Sequence, residues 1–389
     1  MNKTYNYGKH YIDQDDIQAV VDILNSNYLT QGETIQNFED VLCVKSGAKF
    51  AIVVANGTAA LHLTGLALGW KKGDIIITSP LTFVATANSI IYSGATPDFV
   101  DIDPISYTID VNQLEEKIKA YRKANQCVKA IIGVDYAGHP CQWDALYYLS
   151  QKYNCQLIND ACHSLGAAYK GTTSYLSQYT DATILSFHPV KHITTGEGGA
   201  ILTNNQFLNE TIKIYRVHGI TKPEEKINQI GAWYYEIDSL GYNYRITDIQ
   251  CALGISQLKK LKRFIEKRRK IAQFYDAFFC QKDGFTTPTH NENITHAYHL
   301  YPLQIDFNQT GITRQMLFHR LKQNHINCQV HYIPVHCHSY FQKHYGFKFG
   351  DFPVSEQFYN REISLPIYPQ LEEKDLDYIT QTIIQCFKY

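Results

Sequence analysis

Four short segments carry residue types that could do chemistry together. The sharpest is SFHPVKHITTGEGG at 186–199, where an apolar strand ends in polar residues, presents Lys191 and enters a Gly/Thr-rich turn. Ligands of open α/β sheets sit at the carboxyl ends of strands. A lysine held there among small and aromatic residues is partly desolvated, which lowers its pKa and frees the amine to form a Schiff base with a carbonyl. Upstream, LINDACHSLG at 157–166 places Asp160 directly after an apolar strand and His163 three residues on. A carboxylate at that edge can keep the ring nitrogen of a pyridoxal phosphate (PLP) protonated, so that the ring accepts electrons. His163 could then lie over or beside the ring, near its phenolic oxygen. VVANGTAAL at 53–61 reads as a strand, a small-residue turn and a helix start. The free N–H groups and dipole of that helix suit one phosphate. Gly57 would let it approach the backbone and Thr58 would add a hydroxyl. Neither the G-K-[ST] of a Walker loop nor a dinucleotide G-x-G-x-x-G is present. SPLTFVATAN at 79–88 puts Phe83 at a strand end, where it could stack on a ring.

Each segment alone has a plainer reading. Lys191 could be a surface lysine in a loop, Asp160 a helix cap, Asn56 to Thr58 an N-cap and turn, and Phe83 a core aromatic. Their order gives them weight: phosphate turn, stacking aromatic, Asp and then Lys, each after its own strand. The elements that must hold them alternate along the chain. Strands are expected at 51–55, 74–78, 96–100, 129–135, 156–160, 182–188 and 199–203. Helices are expected at 14–26, 58–68, 86–92, 111–124 and 146–152 between them. Short β-rich runs separated by helices imply an α/β fold with a mostly parallel sheet and helices on both faces. The pattern changes after Asn205. A long, charged, amphipathic helix at 248–280 could bridge two domains. Strands at 299–305 and 327–332 and helices at 314–323 and 372–387 suit a smaller α+β domain. The expected division is 1–255, a large cofactor domain with the N-terminal segment, and 256–389.

Composition sets outer bounds. The 389 residues hold 36 Lys+Arg against 37 Asp+Glu, a formal charge of −1, which argues against a general nucleic-acid binder. No apolar run approaches a membrane span, and the polar N-terminus has no signal-like apolar stretch, so a cytoplasmic protein is expected. The 10 cysteines are scattered with no C-x-x-C, which points to reduced thiols. The basic run at 259–270 reads as a solvated helix face. His331, His336, Cys337 and His338 could suggest a metal cluster, but positions five apart on a Pro-containing strand do not project together, and no metal is expected.

With these residues in hand, the sequence resembles the DegT/DnrJ-type sugar aminotransferases, PLP enzymes of the aspartate-aminotransferase-like fold type I. The likeness runs nearly end to end, through NGTAALH at 56–62, TFVATAN at 82–88, SFHPVKHITTGEGG at 186–199 and HGITK at 218–222. It continues through WYYE at 233–236, LGYNYRITDIQCALG at 240–254, YHLYP at 298–302 and VHYIPVH at 330–336. The last five blocks are most similar to the pseudaminic-acid pathway branch. That branch aminates C4 of a UDP-linked 4-keto-6-deoxy-N-acetylhexosamine with L-glutamate. An aminotransferase acting on another nucleotide-linked 4-keto or 3-keto deoxysugar is the alternative. A regulatory protein on the same fold is disfavoured by Lys191, Asp160 and the phosphate turn.

The resemblance implies that Lys191 bonds to the cofactor, that Asp160 holds its ring nitrogen and that His163 neighbours its ring oxygen. It implies that Phe83 stacks on the ring and that Gly57, Thr58 and Ser186 bind its phosphate. Asn243 would complete the phosphate site from a second subunit, so a homodimer with shared sites is implied. Tyr7, Asn27, Tyr28, Leu29 and Thr30 would touch the nucleotide sugar. His331 and Tyr332, on the expected strand, would also reach it, from this chain or the partner. Asn56, Asn159 and His192 depart from the family's usual Ser, acidic residue and Pro, and none removes a group the chemistry needs. Lys191 separates the chain from family dehydratases that carry His there.

Overall fold

The computed structural model describes residues 3–289 and 292–387. Seven strands make the central sheet. In chain order they are β1 Phe50–Val54, β2 Ile75–Thr78, β3 Thr96–Phe99, β4 Val128–Val134, β5 Gln156–Asp160, β6 Ala182–Ser186 and β7 Gly199–Thr203. In space they run β1-β7-β6-β5-β4-β2-β3. The pairs from β6 through β3 are parallel, and β7 is antiparallel to both its neighbours. Because β7 alone reverses, β1 runs in the direction of β6. The carboxyl ends of β1, β2, β5 and β6 therefore open on one edge, and these ends carry the four segments with chemistry.

The strands are short apolar runs because both faces of the sheet are covered. Alternate residues of β1 enter two different cores. Ala51 and Val53 join Ile77, Ile131, Leu157 and Leu185 under the helices Glu33–Ser46, Val111–Lys123, Trp143–Tyr153 and Asp248–Phe279. Ile52 and Val54 join Ile76, Ile132, Ile158 and Ile184 under the helices Gly57–Ala67, Ala85–Tyr92 and Gln206–Arg216. At the site edge, Gly199 begins β7 against the turn after β1. A Cβ on Gly199 would lie 2.5 Å from the Asn56 carbonyl carbon and 2.7 Å from the Gly57 nitrogen, so only glycine lets strand and turn pack this closely.

A second core forms around the antiparallel strands Phe285–Thr286, Tyr301–Ile305 and Glu362–Leu365, with the helices Arg314–Gln323 and Glu373–Gln385. Helix Asp248–Phe279 belongs to both cores: Leu258 and Leu261 face the first, Ile271 and Tyr275 the second. The expected 255/256 division falls inside this continuous helix. The N-terminal pair Tyr5–Asn6 runs parallel to Ile326–Asn327, and Tyr5 is part of the second core. Along the basic run, most cations are exposed, but two are not solvated. Lys260 pairs with Asp13 and Asp16, and Arg268 is buried, donating to the carbonyl oxygens of Tyr298, His299 and Ile367.

Two expectations need correction. The strand expected at 327–332 is paired only over Ile326–Asn327. Beyond it Gln329 makes one isolated bridge to Ser364, and the chain leaves the sheet to line a cavity, with a cis peptide between His331 and Tyr332. Helix Glu33–Ser46 has no counterpart among the expected elements. Its inward stripe is thin, Phe38 and Leu42 being the fully apolar buried positions, while Val44 is exposed. No helix among the described residues is long and apolar enough to cross a membrane.

Candidate active site

The open edge of the sheet forms the floor of a cavity of about 770 Å3. Tyr7, Gly57, Thr58, Phe83, Asp160, His163, Ser186, Lys191, His331 and Tyr332 all line it. The sequence segments that carry them are far apart; the parallel strand ends bring them together. His331 and Tyr332 come from the same chain as Lys191.

Lys191 follows β6 by a short turn in which its backbone N–H donates to the His188 carbonyl. Its side chain borders the cavity while its amine is enclosed by protein, 3.5 Å from His299 Nε2. Burial lowers the pKa of this amine, against the opposing influence of Cys162 and Asp160. Asp160, the last residue of β5, is buried. Its Oδ2 accepts the Thr86 hydroxyl at 2.7 Å and its Oδ1 the Cys162 N–H at 3.3 Å. These donors are neutral, and among the described residues Asp160 makes no ion pair. A buried carboxylate with only neutral partners calls for a positive donor from a ligand.

His163 lies above this floor. The Ala137 N–H donates to its Nδ1 at 3.3 Å, so in the neutral ring the proton sits on Nε2 and donates to the Tyr332 hydroxyl at 3.1 Å. Burial holds His163 well below the usual histidine range, as it does His299, whose ring centroid is 4.3 Å away. A neutral histidine beside a lysine does not compete for the proton the lysine must release.

The phosphate turn has the form its sequence suggested. Helix Gly57–Ala67 is capped by Asn56, whose side chain accepts the Ala59 N–H at 2.8 Å. The N–H groups of the first turn have no intrahelical acceptor, and those of Gly57 and Thr58 sit at the cavity wall. A Cβ on Gly57 would stand 3.2 Å from Ser186 Cβ and 3.3 Å from Cys162 Sγ, so glycine keeps this cradle open. Phe83 is 56% exposed, a poor fit to core packing, and its ring lies 6.0 Å from that of Tyr332. A desolvated amine, a carboxylate lacking a cationic donor, a helix first turn at the cavity wall beside Ser186 and an exposed aromatic face are the complement of a phosphorylated pyridine aldehyde. PLP fits the residues present.

Other expected site residues lie elsewhere. Asn27, Tyr28, Leu29, Thr30 and Asn243 are exposed and outside the cavity of this chain. Thr30 bridges Thr247 and the Asp248 N–H donates to the Leu29 carbonyl, whereas Asn243 bridges Val217. Sequence reasoning also missed residues that the cavity contains. Thr86 and His299 sit inside the quoted blocks at 82–88 and 298–302, yet nothing in their spacing marks them, because their partners come from other strands. His336 Nε2, Cys337 Sγ and a Glu356 oxygen lie within 4.8 Å of one another and could hold a cation. His336 bonds Glu356 at 2.9 Å, and Glu356 also takes the Gly350 N–H. His331 is not part of that group; its ring turns to Ser364.

Fold and cavity together define a PLP-dependent aminotransferase. The chain belongs to the DegT/DnrJ/EryC1/StrS aminotransferase family, whose model matches residues 10–384. It is 39% identical over 383 residues to a UDP-4-amino-4,6-dideoxy-N-acetyl-beta-L-altrosamine transaminase from Campylobacter jejuni, covering 98% of this chain and 97% of that one. It is 38% identical over 384 residues to the spore coat polysaccharide biosynthesis protein SpsC of Bacillus subtilis, again covering 98% and 97%. Among solved structures it is similar to Helicobacter pylori PseC, an aminotransferase involved in the biosynthesis of pseudoaminic acid, at 34% identity and a TM-score of 0.90 over 99% of this chain and 100% of that one. The PLP form of Spr1654 from Streptococcus pneumoniae matches at 27% identity and a TM-score of 0.88 over 99% of both chains. The protein is a sugar aminotransferase that uses PLP.

Proposed function

We propose that the enzyme moves the amino group of L-glutamate to C4 of a UDP-linked 4-keto-6-deoxy-N-acetylhexosamine, the reaction of a UDP-4-amino-4,6-dideoxy-N-acetyl-beta-L-altrosamine transaminase. The observation that carries the aminotransferase chemistry is the desolvated Lys191 amine sharing one cavity with Asp160, a carboxylate with no ion pair among the described residues, and with the first turn of helix Gly57–Ala67. The sugar assignment rests on likeness to the C. jejuni and H. pylori proteins.

When bound, PLP supplies the carbonyl carbon that condenses with amines and a ring that accepts electrons. The chain's residues do the rest. Lys191 Nζ, its pKa lowered by burial, would take the proton from Cα of L-glutamate and deliver it to the carbon that PLP supplies; in the second half-reaction it works in reverse at C4 of the sugar. Asp160 holds a proton on the ring nitrogen, with Thr86 and Cys162 fixing the carboxylate. Gly57, Thr58 and Ser186 hold the phosphate through backbone N–H groups and hydroxyls. Phe83 covers the ring. Tyr7, His331 and Tyr332 form the wall that meets the nucleotide sugar.

We further infer a homodimer with shared sites. The segment that leads to Asn243 carries exposed apolar side chains, Trp233 at 78% and Leu240 at 83%, and Tyr28 and Leu29 are exposed as well. Patches of this kind mark interfaces. A second copy placing this surface at the cavity would deliver Asn243 of the partner subunit to the phosphate. A second substrate reading also has support: the B. subtilis relative, named as a spore coat polysaccharide biosynthesis protein, is about as similar as the C. jejuni one. Assaying UDP- and dTDP-linked 4-keto-6-deoxy sugars with L-glutamate decides. The UDP-N-acetylhexosamine substrate should give the highest kcat/KM; preference for a dTDP sugar, or for a 3-keto sugar, would overturn the assignment.

A further inference from the structure

One wall of the cavity is backed by a hydrogen-bond chain that the transamination chemistry leaves unused. Glu362 and Ser364 lie on the strand Glu362–Leu365, fully buried. Glu362 Oε2 accepts the backbone N–H of His331 at 2.9 Å, and its Oε1 meets the Ser364 hydroxyl at 2.5 Å. Ser364 Oγ in turn lies 2.8 Å from His331 Nδ1. The other ring nitrogen, Nε2, has no partner among the described residues and opens on the cavity. Burial, with a smaller contribution from the charge of Lys191, lowers the pKa of His331 to about 3, so the ring is neutral at working pH. It cannot clamp a phosphate by charge.

A neutral imidazole has one proton to place, and so has the serine hydroxyl. The chain therefore has two self-consistent arrangements. With Glu362 ionised, Ser364 donates to the carboxylate, His331 Nδ1–H donates to Ser364, and Nε2 is a bare acceptor. With Glu362 protonated, the carboxyl donates to Ser364, Ser364 donates to Nδ1, and Nε2 carries the proton. In both, Glu362 Oε2 keeps the His331 N–H. We propose that Glu362 and Ser364 are positioning residues that set the tautomer of His331, and so decide whether its cavity-facing nitrogen donates a hydrogen bond to the nucleotide sugar or accepts one. The substrate half of this statement rests on the proposed function; the tautomer half does not.

Burial pushes the Glu362 carboxyl up to about 8, so near neutral pH the donor arrangement prevails. That form suits acceptor-only oxygens, which a nucleotide sugar offers on its phosphates and carbonyls. The groups that face this chain leave the region around pH 8 to Glu362. Arg314, on helix Arg314–Gln323, donates to the carbonyl oxygens of Tyr359 and Glu362. Tyr136 donates to the His331 carbonyl, Tyr332 follows in the chain, and Cys328 neighbours Glu362; burial raises all three. Tyr7, whose ring is 4.8 Å from that of His331, is raised too. Lys191 acts in the chemical step, so its titration is read in kcat.

The test is 15N spectroscopy of the histidine-labelled, PLP-loaded enzyme, with the His331 signals assigned by their loss in His331→Asn. The wild type should show Nε2–H at about pH 6.5 and Nδ1–H at about pH 9.5, with a midpoint near the Glu362 pKa. Glu362→Gln, whose amide can only donate to Ser364, should hold Nε2–H throughout. In the wild type KM for the UDP-sugar should rise about fivefold between pH 7 and 9, the worth of one neutral hydrogen bond. In Glu362→Gln it should stay flat, while kcat keeps its wild-type profile. A wild-type tautomer that does not change over this range, or a Glu362→Gln enzyme that titrates like the wild type, would overturn the proposal. The spectra need no substrate, so a wrong sugar assignment leaves that result standing.

Discussion

Lys191 makes no ion pair among the described residues, and burial lowers the pKa of its amine. His163, His192 and His299 are all held well below the usual histidine range by burial; Lys191 lowers His163 and His299 further, and Arg268 and then Lys191 lower His192. Replacing Lys191 with Ala removes the only lysine amine that lines the cavity among the described residues, without disturbing a core contact. Turnover should fall by about a thousandfold or more, with an unchanged thermal transition; an active Lys191→Ala enzyme would misplace the proton-transfer group. The residue types at this floor were legible because each acts through its own atoms: a lysine, an aspartate and a glycine turn after strands suggest their chemistry directly. Thr86, His299, Glu362 and Ser364 were not legible. Each acts by what it touches, and the group it serves, Asp160, Lys191 or His331, lies on another segment, so no spacing within one segment reveals it.

At the scale of elements, the strand-to-turn junctions carry the account. The sheet was readable because its strands are short apolar runs buried on both faces, and the reversal of β7 was not, since strand direction leaves no mark on the apolar pattern. The 327–332 segment misled for the opposite reason. Its extended, aromatic-rich sequence resembles a strand, but after two paired residues it serves the cavity rather than a sheet. The junction of β7 with the phosphate turn makes a sharp test. Gly199→Ala puts a Cβ against the backbone of Asn56 and Gly57. The turn must move, so we expect a loss of about 1–3 kcal/mol in urea unfolding together with weaker retention of PLP on dialysis. A fully stable Gly199→Ala enzyme that keeps PLP would show that this close approach does not shape the phosphate site.

For the whole molecule, the buried histidines and acids pull stability in opposite directions with pH. His163, His192, His299 and His331 have depressed pKa values in the folded state, so the unfolded chain binds more protons below about pH 6.5, and their contribution is lost as pH falls through that range. Glu362 and Asp135, raised to about 8 and about 6, oppose this because the folded state binds their protons more tightly. The histidines outnumber the acids, and the melting temperature should fall between pH 6.5 and 5; a rise would reverse the assigned protonation states. The proposed dimer is checked by Leu240→Asp, which should give a monomer on sedimentation and lose PLP retention, whereas an unchanged assembly would exclude this surface as the interface. The central claim, that one lysine-centred cavity passes an amino group from an amino acid to a nucleotide sugar, is tested most directly by following the PLP absorbance of the purified enzyme through both half-reactions. L-glutamate alone should bleach the aldehyde-form band with stoichiometric 2-oxoglutarate, and adding the UDP-4-keto-6-deoxy-N-acetylhexosamine should restore it with formation of the 4-amino sugar. No bleaching by glutamate, or bleaching that no keto sugar reverses, would contradict it.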